Sequence, residues 1–177
     1  AGQIVGRVWG EGPTLVMFNG LSGSHELFAL CAFLLKTHCR CVLLDYPTGR
    51  GVTWSRLTDS IAEAVHEFSD SDGCHLFGTS FGSAIALETA LRLESRIHSL
   101  TLHAAFAHLP LTEFERTAAY LLRWFPGKVQ SVPLWRSLQE RGHRLWFPPI
   151  DPTRWSFYLE NAGQTPVAEL ARRFGML

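Results

Sequence analysis

The chain has 177 residues, 46% of them hydrophobic and 18% charged, which suits one domain with a sizeable core and leaves little room for extended disorder. Its 16 Lys and Arg balance 16 Asp and Glu, and the isoelectric point is near 7.3, which argues against a dedicated nucleic-acid partner. No apolar run reaches membrane-spanning length, the longest being Leu27–Leu35, and no signal peptide is visible.

In chain order, Thr14–Phe18 (TLVMF) is a continuous apolar run ending at Asn19-Gly20, as a buried parallel strand would. Glu26–Lys36 is long and apolar enough for a packed helix. Cys41–Leu44 predicts a second buried strand, closed by Asp45-Tyr46-Pro47. Leu57, Ile61, Ala64, Val65 and Phe68 recur at helical spacing with polar residues between them. Cys74–Phe77 predicts a third strand, Ser80–Leu93 a helix, and Ile97–Leu102 a fourth strand. Strand and helix alternating at this pitch imply βαβ units and a parallel sheet.

Near Pro110 the texture changes to helix-like pieces with no convincing strand. Thr112–Phe125 puts Phe114, Ala118, Leu121, Leu122 and Phe125 on one face, which helical spacing predicts to be core. Pro133–Glu140 is a short helical piece. Asp151-Pro152 and Thr165-Pro166 each read as a cap followed by proline at the first helical position, and Gly175 ends the last helix. This half carries Trp124, Trp135, Trp146 and Trp155, and it is mildly basic, with nine Lys and Arg against six Asp and Glu. The predicted organisation is an α/β part over residues 1–109 and a helical segment over 110–177.

Chemistry concentrates at Gly78-Thr79-Ser80-Phe81-Gly82. Alone the pentapeptide is a weak signal, but here an apolar strand stops at it and an Ala- and Leu-rich helix begins at once. That is the geometry in which a tight turn lifts a serine hydroxyl above the sheet edge and aims helix N-terminal N–H groups at it. Cys31, Cys39, Cys41 and Cys74 have neither metal-ligand spacing nor a CxxC pair, so reduced thiols and a cytoplasmic compartment are expected. No P-loop and no GxGxxG is present, and Gly49-Arg50-Gly51 reads as a turn; no cofactor and no metal are expected.

Together, Asn19-Gly20-Leu21-Ser22-Gly23 after one strand, Asp45-Tyr46-Pro47 with Gly49-Arg50-Gly51 after the next, the Ser80 turn, and a helical insertion after a further strand resemble the α/β-hydrolase superfamily. Within it, HLFGTSFG and RIHSLTL are similar to maspardin-like proteins. The resemblance implies a three-layer α/β fold with a mostly parallel sheet, 1–109 as the N-terminal part of the core and 110–177 as a lid or cap. It implies a serine hydrolase cleaving a small, largely apolar ester or acyl substrate through an acyl-enzyme on Ser80. The maspardin likeness implies instead a non-catalytic binding or adaptor protein.

A serine needs a base to take its proton, and the base needs an orienting acid. The resemblance makes Ser80 the nucleophile and assigns the oxyanion donors to the backbone N–H groups of Phe81 and Leu21. Asn19 stands where many relatives have histidine, which removes an imidazole that braces the loop; Asn19, Gly20 and His103 are candidate pocket residues. Asp45 reads as a loop brace rather than the triad acid. Superfamily members carry the acid and then the histidine after later strands. Nothing after Gly175 makes those strands, so the expectation is that the C-terminal strands are missing, that this chain alone is inactive, and that it self-associates through an exposed sheet edge. His103 and His108 are the only substitutes for the base. His75 reads as core or strand packing, and His25, His38, His66, His98 and His143 carry no partner signal.

Overall fold

The computed structural model describes residues 4–69, 72–106, 110–146 and 152–177. They fall into two units, Ala1–Leu111 with Met176–Leu177, and Thr112–Gly175.

The first unit is a five-stranded sheet with helices on both faces. Its strands are β1 (Val5–Trp9), β2 (Thr14–Phe18), β3 (Arg40–Asp45), β4 (Cys74–Thr79) and β5 (Ile97–His103), in the spatial order β1-β3-β2-β4-β5. All pairings are parallel except β1 on β3, where Val5 faces Asp45 and Trp9 faces Cys41. The connecting helices are α1 (Ala29–Leu35), α2 (Trp54–Phe68) and α3 (Phe81–Leu93). Because side chains alternate across a strand, Val16, Phe18, Val42, Leu44, Cys74 and Leu76 turn to one face. There they pack on Leu57, Ile61 and Val65 of α2 and on Phe81, Ile85 and Ala86 of α3. Met17, Cys41 and Leu43 turn to the other face, against Ala32 of α1. The mostly parallel sheet is the one the sequence pattern predicts, and the three layers are those the resemblance implies.

Two elements differ from expectation. Strand β1 has no counterpart among the predicted strands, because Gly6 and Arg7 interrupt its apolar run. The glycine is there for space: a Cβ on Gly6 would stand 2.6 Å from the Phe68 ring. The predicted helix over 26–36 begins instead as a 3₁₀ turn, His25–Phe28, and only Ala32 of α1 is buried, while Leu30, Phe33 and Leu34 are exposed.

The four cysteines are free. Burial pushes the Cys74 thiol up to about 11 and raises that of Cys41 as well, helped in the latter by neighbouring Cys39 and Cys31. The thiolate is the reactive form, so at pH 8 only about one Cys74 in a thousand is reactive. A disulfide reagent at that pH is expected to modify exposed Cys31 first and Cys74 only on unfolding. Equal rates at the two sites, read by peptide mass, would contradict the burial.

The second unit is helical: α4 (Glu113–Leu122), α5 (Trp135–Trp146), α6 (Pro152–Gly163) and α7 (Val167–Phe174). Thr112 caps α4 in a reciprocal box with Glu115, whose carboxyl is held below its usual range by the Thr112 backbone N–H and then its hydroxyl. Pro152 opens α6 at the first helical position, while Asp151 lies outside the described residues. Pro166 is itself the cap residue of α7, one position later than expected, and Gly175 follows its last turn. The predicted apolar face of α4 is not core: Phe114 is 81% exposed and Leu121 63%, and its buried residue is Ala119. Trp124 is exposed, and Trp155 stacks on Tyr158 with ring centroids 5.5 Å apart. Among the described residues no helix is long and apolar enough to cross a membrane.

Candidate active site

Ser80 lies between the last residue of β4 and the first of α3, with φ 54° and ψ −123°. An L-residue held there costs about 1–3 kcal/mol, and such strain persists only where the surroundings over-determine it. The flanking glycines show how. A Cβ on Gly82 would stand 2.3 Å from the carbonyl oxygens of both Asn19 and Phe18, and one on Gly78 would stand 2.5 Å from Gly82 O. Neither glycine has a positive φ; both are required by the contact of α3 with the ends of β2 and β4. The Ser80 N–H donates to His103 O at the end of β5, 3.0 Å away.

Phe81, the first residue of α3, is fully buried, its ring 5.8 Å from Trp54 and 6.1 Å from Tyr46. Its N–H belongs to the opening turn of the helix, where amides have no partner within the helix itself. The loop after β2 passes beside the serine: a Cβ on Gly20 would stand 3.8 Å from that of Ser80. Leu21 packs, partly buried, against the main core.

At position 19 that loop is braced by an amide. Asn19, 4% exposed, donates from Nδ2 to Ser24 O, and its Oδ1 accepts the Gly20 N–H at 2.5 Å and the Ser22 hydroxyl at 3.3 Å. Tyr46 donates its phenolic hydroxyl to Asn19 O. The expected loss of bracing at Asn19 is therefore corrected: a short amide supplies donor and acceptor at once. Asn19→Ala removes three bonds and is expected to lower stability by roughly 1.5–4.5 kcal/mol, at about 0.5–1.5 kcal/mol for each. Chemical denaturation checks it, and an unchanged midpoint would show that the loop holds without the amide.

Asp45 is engaged by His25. Its Oδ1 accepts the His25 backbone N–H at 2.8 Å, and His25 Nδ1 lies 2.8 Å and 2.9 Å from the two carboxylate oxygens. His25, expected to lack partners, is thus the second half of the brace. Its side chain is 11% exposed, and its Nε2 lies 3.0 Å from Glu26 Oε1, close but out of hydrogen-bond line.

The other histidines fall elsewhere. His103 is exposed at the end of β5, its Nδ1 3.0 Å from Thr79 Oγ1, so its ring sits over the neighbouring strand. His75 is half-buried rather than core, with Nδ1 2.8 Å from Ser99 Oγ. His98 contacts the Asp72 carbonyl through Nε2, and His38 and His66 are exposed. His108 and the side chain of His143 lie outside the described residues. Among the described residues no side chain is hydrogen-bonded to the Ser80 hydroxyl, and no group of three or more His, Cys, Asp and Glu could hold a metal ion.

A family model described as alpha/beta hydrolase fold matches residues 13–145. A protein of Pantoea ananatis (strain LMG 20103) that bears the name carbamate hydrolase RutD is 28% identical over 106 residues, 55% of this chain and 38% of that relative. Among solved structures, a hydrolase from Pseudomonas aeruginosa PA01 superimposes with a TM-score of 0.74 at 20% identity, covering 98% of this chain and 67% of its own. A thermophilic esterase from Thermogutta terrifontis gives 0.73 at 18%, covering 98% and 66%, and the enol-lactonase from Burkholderia xenovorans LB400 gives 0.70 at 17%, covering 98% and 69%. The chain thus spans about two thirds of the length of these structures, and the likeness to them is one of fold. With its mostly parallel sheet, its strained serine between β4 and α3, and a family match over most of its length, the chain belongs to the alpha/beta hydrolase fold family.

Proposed function

We propose that this chain carries the nucleophile and oxyanion site of a serine hydrolase acting on a small, largely apolar ester or related acyl substrate. The observation that carries the reading is Ser80 at φ 54°, the first-turn amides of α3 following it and Gly20 beside it. Strain of that kind is kept where a side chain has to be displayed. Ser80 Oγ attacks the acyl carbonyl, the developing oxyanion is met by the N–H groups of Phe81 and Leu21, and the alcohol leaves to give an acyl-enzyme that water then cleaves. The names of the Thermogutta esterase and the Burkholderia enol-lactonase support an ester-type bond.

A second reading, a non-catalytic binding or adaptor protein that keeps the turn without turnover, rests on one observation. Among the described residues no imidazole is hydrogen-bonded to Ser80. Hydrolysis of p-nitrophenyl acetate and butyrate separates the two. In a protein that also carries the triad acid and histidine, the enzyme reading expects a burst of p-nitrophenol stoichiometric with the chain, followed by turnover. Neither burst nor turnover would favour the adaptor.

A further inference from the structure

We propose that Ser83 is a positioning residue for Ser80: from the first turn of α3 its hydroxyl fastens the ends of β4 and β5 around the strained serine. This rests on reading Ser80 as the nucleophile. Ser83 is 1% exposed, and its Oγ lies 2.9 Å from Gly78 O and 3.0 Å from His103 O. A serine inside a helix ordinarily returns its hydroxyl to a carbonyl three or four residues back in the same helix. Ser83 does not. It reaches Gly78, five residues back in the preceding strand, and His103, twenty residues on at the end of the next one.

Both acceptors matter for Ser80. Gly78 sets the last turn of β4 before the serine, and His103 O is the same carbonyl that accepts the Ser80 N–H at 3.0 Å. The backbone N–H of Ser83 in turn donates to Ser80 O at 2.8 Å. The peptide groups on both sides of Ser80 are therefore fixed by bonds that meet at Ser83 and His103. A residue held at positive φ relaxes unless several such constraints agree. Alanine at position 83 keeps the backbone bond and removes only the hydroxyl, so the substitution isolates the side chain's part.

The test uses Ser83→Ala, with Ser83→Cys as a nearly isosteric variant carrying a weaker donor. Two readouts are needed: hydrogen exchange at the Ser80 amide, with Val16 and Val42 as internal references, and the rate of Ser80 modification by a fluorophosphonate. In Ser83→Ala the Ser80 amide is expected to exchange about tenfold faster while Val16 and Val42 do not change, and modification is expected to slow about tenfold, with Ser83→Cys between the two. Unchanged exchange at Ser80, or a uniform rise at all three amides, would overturn the proposal. If Ser83→Ala does not fold, the exchange pattern of Ser83→Cys decides. A parent chain that takes no fluorophosphonate would defeat the nucleophile reading alone, because the exchange arm does not depend on reactivity.

Discussion

Replacing Ser80 by alanine, in a protein that also carries the triad acid and histidine, is expected to lower ester hydrolysis by roughly 10⁴-fold or more. Removal of an activated serine costs a hydrolase most of its rate and leaves only what binding and the oxyanion donors supply. The same change should leave the fold almost untouched. Alanine is sterically tolerated at positive φ no worse than serine, and the chain already holds Ala104 at φ 49°. The bond that fixes this position runs through the Ser80 N–H, which alanine retains. Thermal unfolding should therefore shift by no more than the ~0.5 kcal/mol of an ordinary surface substitution. Substantial residual hydrolysis would mean that another group attacks the substrate. A collapse of stability would mean that the serine is structural.

Gly82→Ala should do the reverse. Its new Cβ would be driven to 2.3 Å from two carbonyl oxygens, those of Asn19 and Phe18. Both are backbone atoms, so the clash cannot be relieved by swinging a side chain aside. Instead α3 has to move off the end of β2, carrying Ser80 with it and parting Phe81 from Trp54 and Tyr46. Overpacking of this kind costs about 3 kcal/mol or more, against a total stability of about 5–15 kcal/mol. At roughly 2–4 °C for each kcal/mol in a chain of this size, the melting temperature should fall by about 6–12 °C, and activity should fall with it. A variant that melts with the parent would show that α3 does not lie against β2 as described. Gly20→Ala is the contrasting control, because its Cβ would meet that of Ser80 at an ordinary 3.8 Å.

The parts of this molecule that could be read from sequence are those whose chemistry is local. The runs TLVMF, CVLL and CHLF are apolar because their strands are buried, and small residues crowd positions 78–83 because a strand end and a helix start must touch there. The helical spacing of Leu57, Ile61 and Val65 marks a face that is indeed buried. What could not be read was whether a face, once formed, is covered. Leu30, Phe33 and Leu34 of α1 and Phe114 and Leu121 of α4 have the same periodicity as a core stripe and are exposed. Periodicity reports which residues share a side of a helix; it carries no information on what lies opposite. Bonds between distant segments were equally hidden. His25 meets Asp45 across twenty residues, and Ser83 meets His103 across twenty, only once β2, β3, β4 and β5 are side by side. Asn19 differs for another reason: a short amide at the start of a loop satisfies donors and acceptors in both directions, so the loop holds at that position without the imidazole it replaces.

The display of Ser80 as a nucleophile is tested most directly by the intact mass of the chain after incubation with a fluorophosphonate. Reaction joins Ser80 Oγ to phosphorus, breaks the P–F bond and releases fluoride, with the serine proton passing to a base or to water. One adduct per chain, absent from Ser80→Ala, is the expected result. A folded parent chain whose mass does not change, or an adduct that persists in Ser80→Ala, would contradict it.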